Sequence, residues 1–295
     1  MNSDRVRQFF ARIESEGLQG NGPFARLPPR LASESEIGRF HTAGHIGLVK
    51  DLSRRGVGLL DGGDTPAFKG MFEAASYSVG STLALLELLA DGEIVHGFNP
   101  VGGLHHARRN ASAGFCIFND IGVAIETAKE QLHLSPILYV DIDVHHGDGV
   151  YYSYEEDPDV FIGDIHEDGR FIYPGSGLAN ESGRGVAKGT KLNIELQPGA
   201  SDETFRDAFR RVMALAETAR PQLVILQCGA DSLAGDPLGH LELTAASHEF
   251  AAKRLAEISH RYCDGRLLAL GGGGYNPANA SEAWVRVAKA LSNHS

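Results

Sequence analysis

The stretch PILYVDIDVHHGDGV at residues 136–150 joins two kinds of sequence that together indicate the fold. Its first half is a short apolar run, which is typical of a strand buried on both faces of a parallel sheet. Its second half is polar and Gly-rich, and it carries Asp and His side chains that can bind a metal or move a proton. Ligands of open parallel sheets bind just beyond the carboxyl ends of the strands. The stretch therefore predicts an α/β protein with a site after a central strand.

Similar short apolar runs recur along the chain and are followed by polar turns. They are IVHGF (94–98), DVFIGDIH (159–166), KLNIEL (191–196), QLVILQC (222–228) and RLLAL (266–270). Repeated strand, loop and helix units indicate an α/β fold with a mainly parallel sheet. The first third has helical periodicity instead, at about 5–16, 34–54 and 70–90. Since no low-complexity linker or repeat interrupts the pattern, residues 1–295 are expected to form a single domain.

The composition excludes several classes of protein. The chain has 27 Lys and Arg against 38 Asp and Glu, a formal net charge of −11, so we expect no direct nucleic-acid binding. We also expect a cytoplasmic protein without membrane association, because the sequence has neither a long apolar run nor the pattern of a signal peptide. Its three cysteines form no CxxC pair, which disfavours both a disulfide framework and a thiolate zinc site. Any metal must therefore be held by His and carboxylate side chains.

The candidate metal ligands are Asp143, His145 and Asp231. Alternate residues of an extended strand end point to one side, and Asp231 follows the buried run at 222–228. Three protein ligands leave room for water, which is the arrangement of catalytic rather than structural zinc. A lone Asp or His more often caps a helix or lines a solvated loop. That alternative accounts poorly for a whole cluster at a strand end.

Two more features suggest catalysis. His105 and His106 are adjacent, and Asp141 and Asp148 could each orient one imidazole ring. Such carboxylate–imidazole pairs suit general acid and base work on a metal-bound water. Tyr275 follows four glycines; its phenol could stabilise an oxyanion or simply pack on the surface.

Six motifs in one order resemble the zinc-dependent deacetylases of the arginase–deacetylase fold, especially class I histone deacetylases and bacterial acetoin-utilisation-type deacetylases. They are GGLHHA (102–107), SAGFCIFND (112–120), YVDIDVHHGDGV (139–150), IYPGSG (172–177), QCGADSLAGDPLG (227–239) and GGGGY (271–275). The resemblance implies a three-layer α/β/α fold whose mainly parallel sheet has about seven to eight strands. It also implies a metal-dependent amidohydrolase that removes acetyl or related acyl groups from protein lysine side chains, by attack of a metal-activated water. It implies Zn²⁺ at the candidate ligands, where Fe²⁺ or Co²⁺ is also chemically acceptable.

The resemblance also implies roles for single residues. His105 and His106 are the catalytic pair backed by Asp141 and Asp148, and Tyr275 polarises the substrate carbonyl. Five further residues would contact the substrate. The first two are aromatic walls of a tunnel, the third offers a backbone carbonyl to the substrate amide, the fourth lines the tunnel and the fifth is a carboxylate at its rim. In that order they are Phe115, Tyr173, Gly114, Leu238 and Asp64.

Two departures from the family pattern matter. The resemblance implies a structural K⁺ or Na⁺ beneath the zinc, held by Asp141, Asp143, His145, Asp164 and Ile165. The family usually has Ser where this chain has Asp164, and a carboxylate should strengthen cation binding. Family members also usually begin with a strand and an HPERP-type loop, which we expect to supply an Arg near the internal end of the site. This chain starts at a helix, so either its start is assigned too far downstream or the first strand is lacking. In the second case we expect a sheet edge to be open to a partner chain.

The substrate is left open by the sequence. An acidic protein suits basic partners such as an acetylated lysine peptide or protein. The same chemistry would serve a deacetylase of acetylpolyamines or another small acetylated amine. A catalytically inactive acyl-lysine-binding scaffold is a third possibility, although neither a metal ligand nor Tyr275 is lost.

Overall fold

The computed structural model describes residues 3–19 and 24–292, and its centre is one parallel β-sheet. Within these residues the sheet has six strands in the order β1-β6-β5-β2-β3-β4, and every pairing is parallel. The strands are β1 (His96–Asn99), β2 (Ile137–Asp141), β3 (Val160–Glu167), β4 (Lys191–Leu196), β5 (Leu223–Gln227) and β6 (Leu267–Leu270). They correspond to the six apolar runs of the sequence.

The predicted α/β fold class is confirmed, but the predicted count of seven to eight strands is too high for the described residues. The larger count came from the resemblance and not from the apolar runs, of which there are only six. The sheet ends at β1 on one side and at β4 on the other. Pairing of either edge with a partner chain stays a prediction.

Helices cover both faces of the sheet and complete the three layers. They are α1 (Asp4–Ser15), α2 (Glu34–Ile37), α3 (Ala43–Arg55), α4 (Met71–Ala90), α5 (Asp120–Glu130), α6 (Asp148–Tyr154), α7 (Asp202–Ala219), α8 (Ala245–Tyr262) and α9 (Pro277–Ser292), with a 3₁₀ turn at Gly185–Ala187. Alternate strand residues enter different cores. Leu138 and Val140 pack with α1, α7, α8 and α9, whereas Ile137 and Tyr139 pack with helices from the first half of the chain.

The helix predicted at 34–54 is two helices, because local capping interrupts it. Ser33 and Glu36 form a reciprocal capping box at the start of α2, which ends at Gly38. The hydroxyl of Thr42 then accepts the backbone N–H of His45 and starts α3. Side chains that satisfy the free N–H groups of a helix start stabilise a new start over a continuous helix.

Helix α9 ties together the strand ends that carry the site. The indole N–H of the fully buried Trp284 lies 3.2 Å from the carbonyl of Cys228 and 3.1 Å from that of Gly271. These carbonyls immediately follow β5 and β6, so one side chain fixes the relative position of both loops.

No helix within 3–19 or 24–292 is long and apolar enough to cross a membrane.

Candidate active site

The backbone bends at 143–145, directly after β2, and is held there by its own carboxylates. The N–H of Asp143 donates to Oδ1 of Asp141 at 3.0 Å, and the N–H of His145 donates to Oδ1 of Asp143 at 3.1 Å. Each bond joins a carboxylate to the N–H two residues further on, as in an Asx turn. The expected extended strand end is therefore wrong for 143–145, because the carboxylates of Asp141 and Asp143 bind the backbone locally.

The three predicted metal ligands come together at the carboxyl ends of β2 and β5. Their ligand atoms all lie within 4.8 Å of one another, and all three residues are buried. Nδ1 of His145 is 3.0 Å from Oδ1 of Asp143 and 3.3 Å from Oδ2 of Asp231. Among the described residues, Oδ2 of Asp231 has no hydrogen-bond partner.

The charge at this cluster fits a bound cation. Burial, with the adjacent charge of Asp143, raises the pKa of the Asp231 carboxyl to about 6. Two buried carboxylates beside one imidazole are costly unless a positive charge compensates them. Carboxylate oxygens and imidazole nitrogens both bind divalent metals, and three protein ligands leave a coordination position open, as catalytic sites require. The orphaned oxygen, the burial and the donor set therefore all fit a divalent metal held by Asp143, His145 and Asp231.

Gln227 fixes one of these ligands and was not identified from the sequence. Its side-chain Nε2 donates to Oδ2 of Asp143 at 2.8 Å, and the N–H of Gly273 donates to the same oxygen at 2.9 Å. Gln227 is fully buried at the end of the apolar strand β5. A polar residue in such a run needs a buried partner, and that was the signal that could have identified it.

The two adjacent histidines point their Nε2 atoms at each other, 3.1 Å apart. Behind them, Nδ1 of His105 lies 2.8 Å from Oδ2 of Asp141, and Nδ1 of His106 lies 2.7 Å from Oδ1 of Asp148. Each ring therefore has its own carboxylate, as predicted, and both Nε2 atoms face one small space. The ring of His106 is also 5.8 Å from that of His145, centroid to centroid.

The pKa values of the pair are pushed in opposite directions. Burial alone would lower the pKa of His105, but the charges of Asp141 and then Asp143 raise it to about 10. Burial, followed by the neighbouring charge on His105, lowers the pKa of His106 to about 4. A protonated and a neutral imidazole side by side form an acid and base pair. A cation bound at Asp143 would offset part of the negative charge and leave Asp141 as the main support of His105.

Asn119 and Asp120, at the start of α5, hold the loop that carries the histidines. The amide Nδ2 of Asn119 donates to the carbonyl of Ala107 at 2.8 Å, and Oδ1 of Asp120 accepts the N–H of Leu104 at 2.9 Å. Both residues are fully buried. The FND motif thus anchors the two histidines from both sides.

Tyr275 lies near the metal cluster with a protonated phenol. Burial, and next the charges of Asp231 and Asp143, raise the pKa of this phenol well above its ordinary value. The hydroxyl therefore remains a hydrogen-bond donor throughout the physiological pH range. It lines a small cavity together with His105, His106, the three metal-site residues and Gly114, among others.

Aromatic residues surround the mouth of this cavity. The rings of Phe115 and Tyr275 are 5.9 Å apart, and those of His106 and Tyr173 are 5.0 Å apart, in edge-on arrangements. Phe115 and Tyr173 remain partly exposed, at 36% and 42%. A Cβ on Gly114 would lie 2.5 Å from Cδ2 of His106 and 3.0 Å from Cε1 of Tyr173, so only glycine fits between these two rings.

Of the five predicted substrate residues, Gly114 alone lines the cavity, and Phe115, Tyr173, Leu238 and Asp64 lie outside its lining. Leu238 is 41% exposed, and its backbone N–H donates to Oδ1 of Asp236. Asp64 is exposed, and its backbone N–H donates to Asp61. Their contact with substrate stays a prediction.

The expected source of the arginine near the internal end of the site is wrong, because Arg5 of α1 reaches the backbone beside the site. The sequence expectation assigned that arginine to a segment before the first helix, yet α1 itself supplies one. Nη1 of Arg5 donates to the carbonyl of Gly272 at 2.8 Å, and the guanidinium lies 5.2 Å from the Trp284 ring centroid. Arg5, Phe9 and Ile13 form the buried stripe of α1. An Arg at that spacing on an apolar face was the available signal.

Two of the predicted monovalent-cation residues, Asp143 and His145, also belong to the divalent cluster. Asp141 on β2 and Asp164 on β3 are opposite each other in register. Oδ1 of Asp164 lies 2.7 Å from Nδ1 of His166, and its Oδ2 accepts the N–H of Gly147 at 2.9 Å. Carboxylate oxygens suit a hard cation, but those of Asp164 already have protein partners. Binding of K⁺ or Na⁺ here stays a prediction.

A parallel α/β sheet that carries a possible metal-binding triad and a histidine pair at its strand ends has the arrangement expected of a hydrolase. The family model described as "Histone deacetylase domain" matches residues 1–291. The chain belongs to the histone deacetylase family, which confirms the resemblance and supports deacetylase activity.

Relatives and a solved structure agree with this assignment. The chain is 39% identical over 270 residues to the acetoin utilization protein AcuC of Bacillus subtilis, covering 88% of this chain and 70% of AcuC. It is 35% identical over 295 residues to histone deacetylase 6 of Arabidopsis thaliana, covering 96% of this chain and 60% of that protein. The crystal structure of the HDA15 HD domain is similar at a TM-score of 0.91 and 29% identity, over 98% of this chain and 81% of that one.

Proposed function

We propose that this protein is a zinc-dependent deacetylase that removes acetyl or related acyl groups from lysine side chains of proteins. The observation that carries the proposal is the 3.1 Å approach of the two Nε2 atoms of His105 and His106 in the cavity that also contains the metal ligands. Membership of the histone deacetylase family supports an acetylated substrate. Deacetylation of a small acetylated amine is the second candidate, because the same reacting groups would serve it.

Asp143, His145 and Asp231 would hold the metal. When bound, a Zn²⁺ ion polarises a carbonyl and lowers the pKa of water at the site. Fe²⁺ or Co²⁺ would also suit two carboxylates and an imidazole.

His106 is the base in this proposal. Its lowered pKa of about 4 keeps the ring neutral at pH 7, so Nε2 can accept a proton from the attacking water. The carboxylate of Asp148, 2.7 Å from Nδ1, then stabilises the imidazolium that forms. Arg108 holds the other oxygen of Asp148 at 3.0 Å and keeps that carboxylate oriented.

The proton must then reach the leaving nitrogen, because an amine anion is far too basic to depart. A proton from the histidine pair passes to this nitrogen as the carbon–nitrogen bond breaks, and the products are acetate and the free amine. His105 is held protonated by Asp141 and supplies positive charge beside the reacting carbon. Tyr275 donates its phenol hydrogen bond to the oxygen that becomes negative during attack.

The shape and charge of the entrance favour a lysine side chain. Phe115 and Tyr173 would flank its apolar methylenes, and the backbone carbonyl of Gly114 would accept the amide N–H. Asp64 is exposed beside the entrance loop and would accept backbone N–H groups of a peptide. The net charge of −11 attracts basic protein segments.

Three buried cysteines without disulfides fit a reducing compartment, and the cytoplasm is the location we propose.

The substrate class is tested by comparing kcat/KM on an acetyl-lysine peptide with that on N-acetylputrescine. The protein is purified anaerobically, its native metal is measured, and Tyr275→Phe serves as the inactive control. A higher kcat/KM on the peptide supports protein lysine deacetylation. A higher value on N-acetylputrescine would support the second candidate, whereas no turnover of any acetylated probe by the metal-loaded protein would refute deacetylation.

A further inference from the structure

One carboxylate organises the loop that carries the proposed rim residue Asp64. Oδ1 of Asp61 accepts the backbone N–H groups of Gly63 at 3.0 Å, Asp64 at 2.9 Å and Thr65 at 2.9 Å. Its other oxygen accepts the hydroxyl proton of Thr65. Burial alone would raise the pKa of Asp61, but the Thr65 hydroxyl and these N–H groups lower it. The rim loop is therefore fixed by a single ionised side chain.

The hydroxyl of Thr65 also reaches across to the tunnel wall. It accepts the backbone N–H of Phe115 at 3.1 Å, from a residue 50 positions away in the chain. A threonine hydroxyl has one proton to donate, and Asp61 takes it, so the oxygen is left to accept from Phe115. Thr65 is only 4% exposed, and water has little access to replace either bond.

Phe115 needs such a restraint because its backbone is strained. Its φ is 65°, a left-handed value that a bulky non-glycine residue rarely adopts. The turn is closed by the N–H of Cys116, which donates to the carbonyl of Ala113 at 2.8 Å. The ring of Phe115 then packs edge-on against Tyr275 at 5.9 Å. A small change of the Phe115 backbone would thus displace the wall that faces the proposed catalytic tyrosine.

We infer that Thr65 is a positioning residue, whose hydroxyl joins the Asp61-organised rim loop to Phe115 and so holds the rim and the tunnel wall in one fixed geometry. This inference rests on the proposed function for the roles of Asp64 and Phe115 in substrate binding. Thr65 does not touch the reacting atoms. It acts through two groups that would grip the substrate on either side of the entrance.

The experiment compares Thr65→Val with Thr65→Ser. Valine keeps the shape and removes the hydroxyl, which leaves the N–H of Phe115 and an oxygen of Asp61 without this partner. Serine keeps the hydroxyl. Thr218→Val, on the exposed side of α7, is the matched control.

For an acetyl-lysine peptide, Thr65→Val should raise KM by about fivefold or more, the scale of one lost hydrogen bond. The value of kcat should change by less than about twofold, because binding is lost equally in ground and transition states.

A second measurement does not depend on activity. Hydrogen–deuterium exchange of the segment 113–118 should accelerate in Thr65→Val and stay at the wild-type rate in Thr65→Ser and Thr218→Val. Circular dichroism of each variant verifies that the fold is retained.

The possible outcomes separate the two proposals. Unchanged exchange and unchanged KM in Thr65→Val would overturn the positioning role, and so would Thr65→Ser behaving like Thr65→Val. If wild-type protein turns over no acetylated probe, the proposed function fails, and exchange alone decides whether Thr65 holds Phe115. Accelerated exchange with unchanged KM in an active enzyme would refute the link from Thr65 to substrate binding.

Discussion

Oδ2 of Asp236 accepts the backbone N–H of Tyr275 at 2.7 Å, while Oδ1 of the same carboxylate accepts the N–H of Leu238 at 3.0 Å. The N–H of Asn276 also donates to Oδ2, at 3.2 Å. Asp236 is only 7% exposed. One buried side chain therefore sets the position of the proposed catalytic tyrosine relative to the loop that carries a proposed tunnel residue.

Asp236→Ala should reduce both stability and kcat. Removal of the carboxylate leaves three backbone N–H groups without this acceptor, and each unsatisfied buried group costs about 1–3 kcal/mol where water cannot replace it. Thermal unfolding and steady-state kinetics measure the two effects. Asp236→Asn keeps one acceptor oxygen and should be the milder change. Wild-type kcat in Asp236→Ala would contradict a positioning role for this carboxylate.

Tyr275→Phe should lower kcat by about 10²–10³-fold, the usual effect of removing one donor to a developing oxyanion. The phenol has no role among the proposed metal ligands, so metal content should equal that of the wild type. Tyr77→Phe is the control, since Tyr77 is 44% exposed on α4. Undiminished turnover by the Tyr275 variant would rule out the phenol as the oxyanion donor.

The opposite pKa shifts of the histidine pair predict a bell-shaped pH profile. Turnover should rise with pH as His106, with a pKa of about 4, loses its proton. It should fall again as His105, with a pKa of about 10, becomes neutral. A bound cation disfavours nearby positive charge, so both limbs of the metal-loaded enzyme should lie below these values.

Asp141→Asn tests the assignment of the alkaline limb. The charge of Asp141 raises the pKa of His105, so its removal should move that limb to lower pH. Asp148→Asn should instead move the acidic limb to lower pH, because Asp148 raises the pKa of His106. Profiles of kcat from about pH 2 to pH 10 are needed to measure both shifts, since the acidic limb lies below pH 4. An alkaline limb that stays in place in Asp141→Asn would count against His105 as the group responsible.

The strand ends could be located from the sequence because buried parallel strands are apolar and their polar successors stand out. Asp143, His145 and Asp231 each follow such a run, and all three meet in space. The histidine–carboxylate pairs were predictable for the same reason, since every member lies at the last residue of a strand, in the polar loop after a strand, or at the helix start that follows one. Periodicity and strand-end chemistry are local properties, and they need no knowledge of the packing.

Residues that act over long distances in the chain were harder to identify. Arg5 reaches the carbonyl of Gly272, 267 positions away, and nothing near Arg5 indicates that partner. The link from Thr65 to Phe115 is similar, because Thr is an ordinary loop residue until its neighbour is known. The break between α2 and α3 depends on capping bonds that compete with an otherwise continuous helical pattern.

Asp231→Asn tests the metal site without reliance on turnover. A metal that binds only the folded protein stabilises it by about 2.7 kcal/mol at a free concentration of 100 Kd. Added Zn²⁺ should therefore raise the Tm of wild-type protein stripped by a chelator. The variant loses the carboxylate whose Oδ2 has no hydrogen-bond partner within 3–19 and 24–292, so its Tm should respond weakly or not at all.

The stripped proteins should differ in the opposite direction. The pKa of Asp231 is raised to about 6 in the folded protein, above the value of about 4 for an exposed carboxyl. Ionisation thus opposes folding, and the stabilising effect of the protonated carboxyl is lost as the pH rises from about 4 to about 6. At pH 7.5, Asp231→Asn without metal should be at least as stable as the stripped wild type, since it lacks this charge. Two results would show that Asp231 serves the fold and not a metal. One is a metal-free variant clearly less stable than the metal-free wild type, and the other is a variant whose Tm Zn²⁺ raises as much as that of the wild type.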